Sequence, residues 1–187
     1  MKKEFDLDFC FKGSRKYVHG TDIYTKLIQY QDKDVSKIDI LFHGIATNNM
    51  TFSPDKPSVD EVKVKLFGIE NNKIVNCRYE YIEEKVITNS TVDVTEETIN
   101  LNKQTEFSFI EHIVAMNKAL LEKLYSTIEG KWYFTRLQLN KTILMEDVSS
   151  LKITLKSNFQ FKLTKSAIIV NNEEVGFIYF SLVNKES

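Results

Sequence analysis

Apolar and polar residues alternate along most of the chain, with the period of two that is typical of β-strands. The apolar positions of these stretches are Phe5, Leu7, Phe9 and Phe11; Val62, Val64 and Leu66; Cys77, Tyr79 and Tyr81; Leu151, Ile153 and Leu155; Phe159, Phe161 and Leu163; and Phe177 and Tyr179. In a strand, this period places apolar side chains on one face and polar side chains on the other. The pattern predicts an antiparallel sheet with one buried face and one solvated face.

One segment, from Ser108 to about Tyr125, has helical periodicity instead. Its apolar residues are Phe109, Ile110, Ile113, Val114, Ala115, Met116, Leu120, Leu121 and Leu124. Ser108 is a suitable N-cap, and Glu111 follows three residues later, as in a capping box. The apolar arc is too wide for a helix that lies on a protein surface. We therefore expect an α+β fold in which a curved sheet wraps around a buried helix.

The order of the predicted elements repeats once along the chain, which suggests a duplication. The first half has a strand at 4–12, a short helix at 21–30, a strand at 38–47 and a hairpin at 62–84 that turns at Asn71–Asn72. The second half has a strand at 91–101, a long helix at 108–125, strands at 132–139 and 151–161, and a hairpin at 166–182 that turns at Asn171–Asn172. The pattern divides the chain into two units, 1–90 and 91–187.

Composition excludes several classes of function. The 187 residues include 25 Lys and Arg against 26 Asp and Glu, so no net charge attracts nucleic acid or an anionic membrane. Cys10 and Cys77 lie far apart, each within an alternating apolar run, and we expect two reduced core thiols. No Cys-x-x-Cys or His-x-x-x-His spacing occurs, so we expect no zinc site.

The N-terminus does not have the pattern of an export signal. Glu4, Asp6 and Asp8 interrupt the stretch that would form the apolar core of a signal peptide. No run of about 18 apolar residues occurs anywhere in the chain, so we expect no transmembrane helix. The sequence therefore predicts a cytoplasmic protein.

The segment "KWYFTRLQLNKTILMEDVSSLKITLKSNFQFKLTKSAIIVNNEEVGFIYFSL", with the helix before it, resembles the second half of hotdog-fold proteins. In that family a strand enters with an aromatic residue and an arginine, and a turn with an acidic residue follows. A long strand and a final hairpin then complete the sheet around the helix. Residues 91–187 carry this pattern, and residues 1–90 carry a shorter, degenerate version. The chain is similar to a double hotdog, in which two tandem units reproduce the usual homodimer within one polypeptide.

This resemblance implies a protein that processes acyl thioesters. Hotdog proteins commonly act on acyl groups carried by coenzyme A or acyl carrier protein, either as thioesterases or as 3-hydroxyacyl-thioester dehydratases. The implied partner is an acyl carrier protein or a small acyl ligand, with an acyl-CoA or phosphopantetheine thioester as substrate and no other cofactor. The implied assembly is a monomer with an internal pseudo-dimer, or a homodimer.

The hotdog dehydratases place a histidine in a glycine-containing loop of one unit opposite a carboxylate on the helix of the other. Here "KYVHGTDIY" supplies His19 and Gly20, and "FSFIEHIVAMNK" supplies Glu111 and His112. The resemblance makes His19, Glu111 and His112 the catalytic candidates. The substrate-binding candidates are Gly20, Asp22, Met116, Asn117 and Arg136. The longer His-x-x-x-Pro-Gly loop of the dehydratases is absent, which weighs against dehydration itself.

Each candidate also has a structural explanation. His19 is a general base or a hydrogen-bond donor to a thioester carbonyl, or it is a loop histidine that binds a neighbouring carbonyl group. The capping box alone satisfies Glu111, and His112 either lines an acyl tunnel or is a core histidine with satisfied hydrogen bonds. Asn117 binds either a ligand or a backbone group, because a buried amide needs partners. Arg136 pairs with a carboxylate across the sheet or anchors a phosphate.

Two other classes of function compete with an acyl-thioester enzyme. One is a non-catalytic module that holds an acyl chain or another small ligand in the same groove. The other is a structural partner subunit that presents its sheet edges for assembly. The deciding feature would be a second acid or base opposite His19, and the sequence does not identify one.

Overall fold

The computed structural model describes residues 5–12, 15–29, 37–53, 62–63, 65–68, 75–77 and 82–183. The strands within these ranges are β1 (Phe5–Leu7), β2 (Cys10–Lys12), β3 (Ile38–Leu41), β4 (Met50–Ser53), β5 (Val62–Lys63), β6 (Lys65–Gly68), β7 (Val75–Cys77), β8 (Ser90–Asp93), β9 (Thr98–Leu101), β10 (Lys131–Leu139), β11 (Leu151–Phe159), β12 (Leu163–Val170) and β13 (Glu173–Val183). The helices are α1 (Gly20–Gln29), α2 (Ile82–Thr88) and α3 (Phe109–Leu124), and a short 3-10 helix occupies Met145–Asp147.

The main sheet has the strand order β5-β3-β10-β13-β12-β11-β9-β8. From β3 to β8 every neighbouring pair is antiparallel, and β5 joins β3 in parallel. The turn between β12 and β13 has Asn171 and Asn172 at φ angles of 52° and 68°, as a tight hairpin requires. The predicted α+β class, the antiparallel sheet and this final hairpin are confirmed.

The central helix α3 packs across the main sheet, against β9, β10, β11 and β13. Its side chains at Ile113, Met116, Leu120 and Leu121 have no measurable exposure. At its start, the backbone N–H and the hydroxyl of Ser108 donate hydrogen bonds of 2.9 and 2.6 Å to the Glu111 carboxylate. The predicted buried helix is confirmed, and the Glu111 carboxylate binds its N-cap as the capping box predicted.

The sheet continues from the first half of the chain into the second half. Within the described residues, β3 is the first strand after α1 and β10 is the first strand after α3. These two strands pair antiparallel, from Leu41 opposite Arg136 to Ile38 opposite Leu139. Each of the two strands at this junction thus follows a helix in chain order. The helices α1 and α3 also contact each other.

The hairpin predicted at 62–84 is wrong. Strand β6 pairs with β4, whereas β7 pairs in parallel with β2, and residues 82–88 form the helix α2. Its predicted turn at Asn71–Asn72 lies outside the described residues. Period-two alternation predicts which residues form strands, but it does not predict which strands pair. The strands β6 and β7 are therefore present as predicted, but each pairs with a different strand.

The strand predicted at 91–101 is instead the hairpin β8–β9. The Asp93 carboxylate accepts hydrogen bonds from the backbone N–H groups of Thr95 and Glu96, at 2.9 and 3.0 Å, and this turns the chain. An aspartate that binds the backbone in this way is a common device in turns. In the first half, the strand predicted at 38–47 ends at Leu41, and the strand predicted at 4–12 is divided into β1 and β2.

Cys10 is disulfide-bonded, and Cys77 is the only other cysteine of the chain. The expectation of two reduced thiols is therefore wrong. Disulfides persist mainly in oxidising compartments, so the cytoplasmic location stays a prediction from the sequence alone. Among the described helices, none combines the length and the apolar character needed to cross a membrane.

Candidate functional site

A cavity of about 590 Å³ lies between the segment that precedes α1, the chain around β3, the helices α2 and α3, and the start of β10. Apolar side chains make up much of its wall, among them Ile23, Ile40, Phe42, Trp132, Phe134 and Phe180. Apart from two tyrosines, six ionisable side chains also border it: Arg15, His19, His43, Glu83, Lys118 and Lys131. Four of them form a cluster: Arg15, His19, Glu83 and Lys118. The cavity thus combines a largely apolar interior with one polar cluster.

His19 lies immediately before α1. Its backbone carbonyl accepts hydrogen bonds from the N–H groups of Asp22 and Ile23, at 3.0 and 3.3 Å, which fixes the residue against the first turn of the helix. Its Nδ1 atom lies 2.7 Å from the hydroxyl oxygen of Thr21. Burial, together with the charges of Arg15 and Lys12, lowers the pKa of His19 from 6.5 to about 4. The imidazole is therefore neutral at pH 7.

Glu83, on α2, supplies the carboxylate of the cluster. It forms salt bridges of 2.9 Å with the Arg15 guanidinium and 2.7 Å with the Lys118 ammonium. Burial raises the pKa of Glu83, but the hydrogen bond and charge of Lys118 and the charge of Arg15 outweigh burial, so this pKa lies below its ordinary value. Glu83 is ionised at pH 7, and its two partners come from different segments of the chain.

The structure brings His19 and Glu83 to the same end of the cavity. A small hollow next to the cavity is bordered by both residues, together with Val114 and Ala115 of α3. The charge of Glu83 also acts on His19, whose pKa it raises. Glu83 is thus the second ionisable group beside His19 that the sequence did not identify. The sequence pattern placed Glu83 at the end of the hairpin predicted at 62–84. The helix that actually carries it has seven residues, which are too few for a clear helical periodicity.

Gly20 borders the cavity as well, and its lack of a side chain has a clear reason. A Cβ atom at this position would lie 2.8 Å from Cδ1 and 3.3 Å from Cε1 of the Phe134 ring. This ring packs edge-on against Phe42 and also contacts Phe180. Glycine therefore lets the histidine turn lie directly against the aromatic wall.

Glu111 and His112 do not line the cavity. The Glu111 carboxylate is engaged by Ser108, although it borders the small hollow, where one of its oxygens lies 3.8 Å from the Lys12 ammonium. The His112 side chain is fully buried; Nδ1 donates to the Ser108 carbonyl at 2.9 Å, and Nε2 lies 3.0 Å from the Thr105 hydroxyl. His112 is therefore a core histidine with satisfied hydrogen bonds and is not part of the candidate site.

Met116 and Asn117 are also outside the cavity. Both are fully buried on α3, and the Asn117 amide has no hydrogen-bond partner within the described part of the chain. The helix presents Val114 and Lys118 to the cavity instead. The residues of α3 that border the cavity together with His19 are therefore Val114 and Lys118, not Met116 and Asn117.

The remaining two candidates form ion pairs elsewhere. The carboxylate of Asp22 lies 2.6 Å from the Lys12 ammonium. Arg136 donates from Nε to the Asp39 carboxylate at 2.8 Å, across the β3–β10 pair, and its guanidinium lies 5.5 Å from the Tyr179 ring. For Arg136 the structural alternative, a carboxylate partner across the sheet, is therefore the one observed.

The chain matches no protein-family model, no curated protein and no solved structure. Within the described ranges, no group of three or more His, Cys, Asp or Glu side chains is placed to hold a metal ion. The cavity and its side chains are therefore the basis on which a function is proposed.

Proposed function

We propose that this cavity binds an acyl thioester and that the chain is an acyl-thioester-processing protein of the hotdog type. The acyl group occupies the apolar part, and the thioester carbonyl lies at the end bordered by His19 and Glu83. One observation carries the proposal: a neutral imidazole and an ionised carboxylate border the same end of a largely apolar cavity. Small-molecule sites commonly pair an apolar wall with a few polar groups in this way.

The volume of the cavity is consistent with this ligand class. At about 590 Å³, it falls within the range of roughly 300–1,000 Å³ found for small-molecule pockets. Its aromatic wall includes Phe42 and Phe134, whose ring centroids lie 5.1 Å apart. Such a wall favours an apolar acyl group over a charged ligand, because burying an unpaired charge is costly.

The charged cluster supports hydrolysis better than dehydration. Hydrolysis of a thioester needs a group that accepts a proton from water and donors that stabilise the oxyanion. Glu83 is an ionised acceptor, and His19 and Lys118 carry N–H groups near it. Dehydration needs a protonated acid for the leaving hydroxyl group, and a carboxylate with a lowered pKa does not hold that proton at pH 7.

The tandem arrangement within the proposal has its own support. In the order β10-β13-β12-β11-β9, the strands of residues 91–187 form one antiparallel sheet crossed by α3. The β3–β10 pair joins this sheet to residues 1–90 through strands that each follow a helix. A composite site between two units agrees with a cavity bordered by α1 and α3 together.

A non-catalytic acyl-binding module is the second candidate, and one observation favours it. A pKa of about 4 makes His19 a weak proton acceptor at pH 7, and two cations already hold the Glu83 carboxylate. Such a cluster is able to bind a carbonyl group without turning it over. The experiment below separates the two candidates.

The test uses short and long acyl-CoA and acyl-carrier-protein thioesters, each in the plain acyl form and in the 3-hydroxyacyl form that dehydration requires, with the purified full chain. Free thiol release reports hydrolysis, and a mass loss of one water reports dehydration. Thiol release that disappears in Glu83→Gln and His19→Gln, and persists in Glu84→Gln, supports the thioesterase. Glu84 is the matched control because it is the exposed neighbour of Glu83 on α2 and does not border the cavity.

Three other outcomes decide the remaining alternatives. Loss of water from the 3-hydroxyacyl substrates that depends on His19 would mean that the protein is a dehydratase and not a thioesterase. Acyl binding without turnover would favour the binding module. Neither binding nor turnover, across the acyl series and both carriers, would overturn the acyl proposal.

A further inference from the structure

The side-chain hydroxyl of Thr21, the second residue of α1, has one hydrogen-bond partner among the described residues. The Thr21 side chain is almost fully buried, with 2% exposure. Within the described residues, the hydroxyl contacts only Nδ1 of His19, at 2.7 Å. The other ring nitrogen of His19, Nε2, makes no hydrogen bond to any described residue. The position of the imidazole proton therefore depends on which of these two atoms, the Thr21 oxygen or Nδ1, is the donor.

Counting hydrogens distinguishes the two arrangements. If Nδ1 carried the proton, it would donate to the Thr21 oxygen, and the buried hydroxyl hydrogen would have no acceptor among the residues that the structure describes. If the hydroxyl donates, Nδ1 accepts, and both groups are satisfied. Buried donors in proteins are rarely left unpaired, because an unpaired donor loses its hydrogen bonds to water without replacement. A neutral imidazole that accepts at Nδ1 carries its single N–H at Nε2.

We propose that Thr21 is a positioning residue whose hydroxyl donates to Nδ1 of His19 and thereby fixes the imidazole proton on Nε2. His19 then meets a ligand in the cavity as a hydrogen-bond donor. This role rests on the proposed function where it concerns the thioester: Nε2–H donates to the carbonyl oxygen, and Glu83 is left as the group that accepts a proton. The ring tautomer itself does not depend on any substrate.

Nitrogen-15 NMR of the full-length protein tests the tautomer directly. Two-bond correlations between the ring carbons' hydrogens and both nitrogens show which nitrogen carries the proton at pH 7. His19→Gln assigns the signals, because the chain has three histidines. We expect the proton on Nε2. A proton on Nδ1 of His19 in the wild-type protein would overturn the proposal.

Two Thr21 variants test the cause. A donor to Nδ1 stabilises the neutral ring, so Thr21→Val raises the pKa of His19 and Thr21→Ser preserves it. The charges around the ring, on Lys12, Arg15, Glu83 and Lys118, are the same in both variants. If Thr21→Val left the pKa unchanged or lowered it, Thr21 would not be the donor. These measurements contain no thioester, so a protein that fails every acyl assay still gives a clear answer on the tautomer.

Discussion

Glu83 and His19 border the same end of the cavity, where the carboxylate raises the pKa of the imidazole while Arg15, Lys12 and Lys118 lower it. Together with burial, the three cations outweigh the one carboxylate, so the ring is neutral. The carboxylate in turn is held by two of the three cations. The two residues are therefore electrostatically coupled, and a change to either residue alters the pKa of the other.

Replacing Glu83 by Gln removes one partner from two salt bridges. Arg15 and Lys118 each lose one charged partner in a partly buried place, and we expect the free energy of unfolding to fall by about 1–3 kcal/mol. Urea denaturation of the variant and the wild type measures this difference. Glu84→Gln, on the exposed side of the same helix, should stay within about 0.5 kcal/mol of the wild type. Equal stability of all three proteins would show that these salt bridges do not stabilise the fold.

His19 makes stability depend on pH. Its pKa is about 4 in the folded protein, below the ordinary value of 6.5. Between these pH values the unfolded chain binds a proton that the folded chain does not, so stability is lost as the pH falls from about 6.5 to about 4. We expect His19 to account for about 1–3 kcal/mol of this loss.

Unfolding free energies at pH 7 and pH 4.5 check this, with His19→Gln as the comparison. The variant should lose less stability than the wild type over this range. Part of the loss remains in the variant, because burial also lowers the pKa of His112. An identical loss in both proteins would contradict the depressed pKa of His19.

Gly20→Ala tests the contact between the histidine turn and the aromatic wall. The new methyl group would meet the Phe134 ring at 2.8 Å, and we expect a destabilisation of about 1–3 kcal/mol from overpacking. Gly44→Ala is the matched control, since a Cβ there has no heavy atom within 4 Å. Thermal unfolding compares the two variants. If Gly20→Ala were as stable as Gly44→Ala, the turn would not pack as described.

The disulfide of Cys10 predicts that the purified protein has no free thiol. Alkylation without a reducing agent should leave the intact mass unchanged, and alkylation after reduction should add two groups. Reduction should also lower the free energy of unfolding by about 2–4 kcal/mol, because it releases a constraint on the unfolded chain. Two alkyl groups per chain without reduction would mean that the thiols are free.

The elements with strong local signals could be predicted from the sequence. The helix α3 has an N-cap, a capping box and a wide apolar arc, and the β12–β13 hairpin has the pair Asn171–Asn172 at its turn. Each of these two signals is local, because the residues that carry it are close together in the sequence. The sheet partners of β6 and β7 depend on distant strands, which alternation does not specify.

The candidate site could be predicted only in part, because some of its residues have a local sequence signal and others are brought in by packing of distant segments. His19 and Gly20 stand out as a turn before a helix, and both border the cavity. Glu83 lies more than 60 positions along the chain and reaches His19 only through the packing of α2 on α3. The rotation of α3 about its axis, which presents Lys118 to the cavity and buries Asn117, is likewise a product of packing.

Trp132 gives the most direct measurement of the central claim, because it borders the cavity and is the only tryptophan of the chain. The wild-type protein is titrated with non-hydrolysable alkyl-CoA thioethers, whose alkyl chains stand in for acyl groups, and Trp132 fluorescence is followed. We predict a saturable change that strengthens with acyl length and that CoA without an acyl group does not produce. No change in fluorescence with any alkyl-CoA thioether, or the same change with unacylated CoA, would contradict the binding of an acyl group in this cavity.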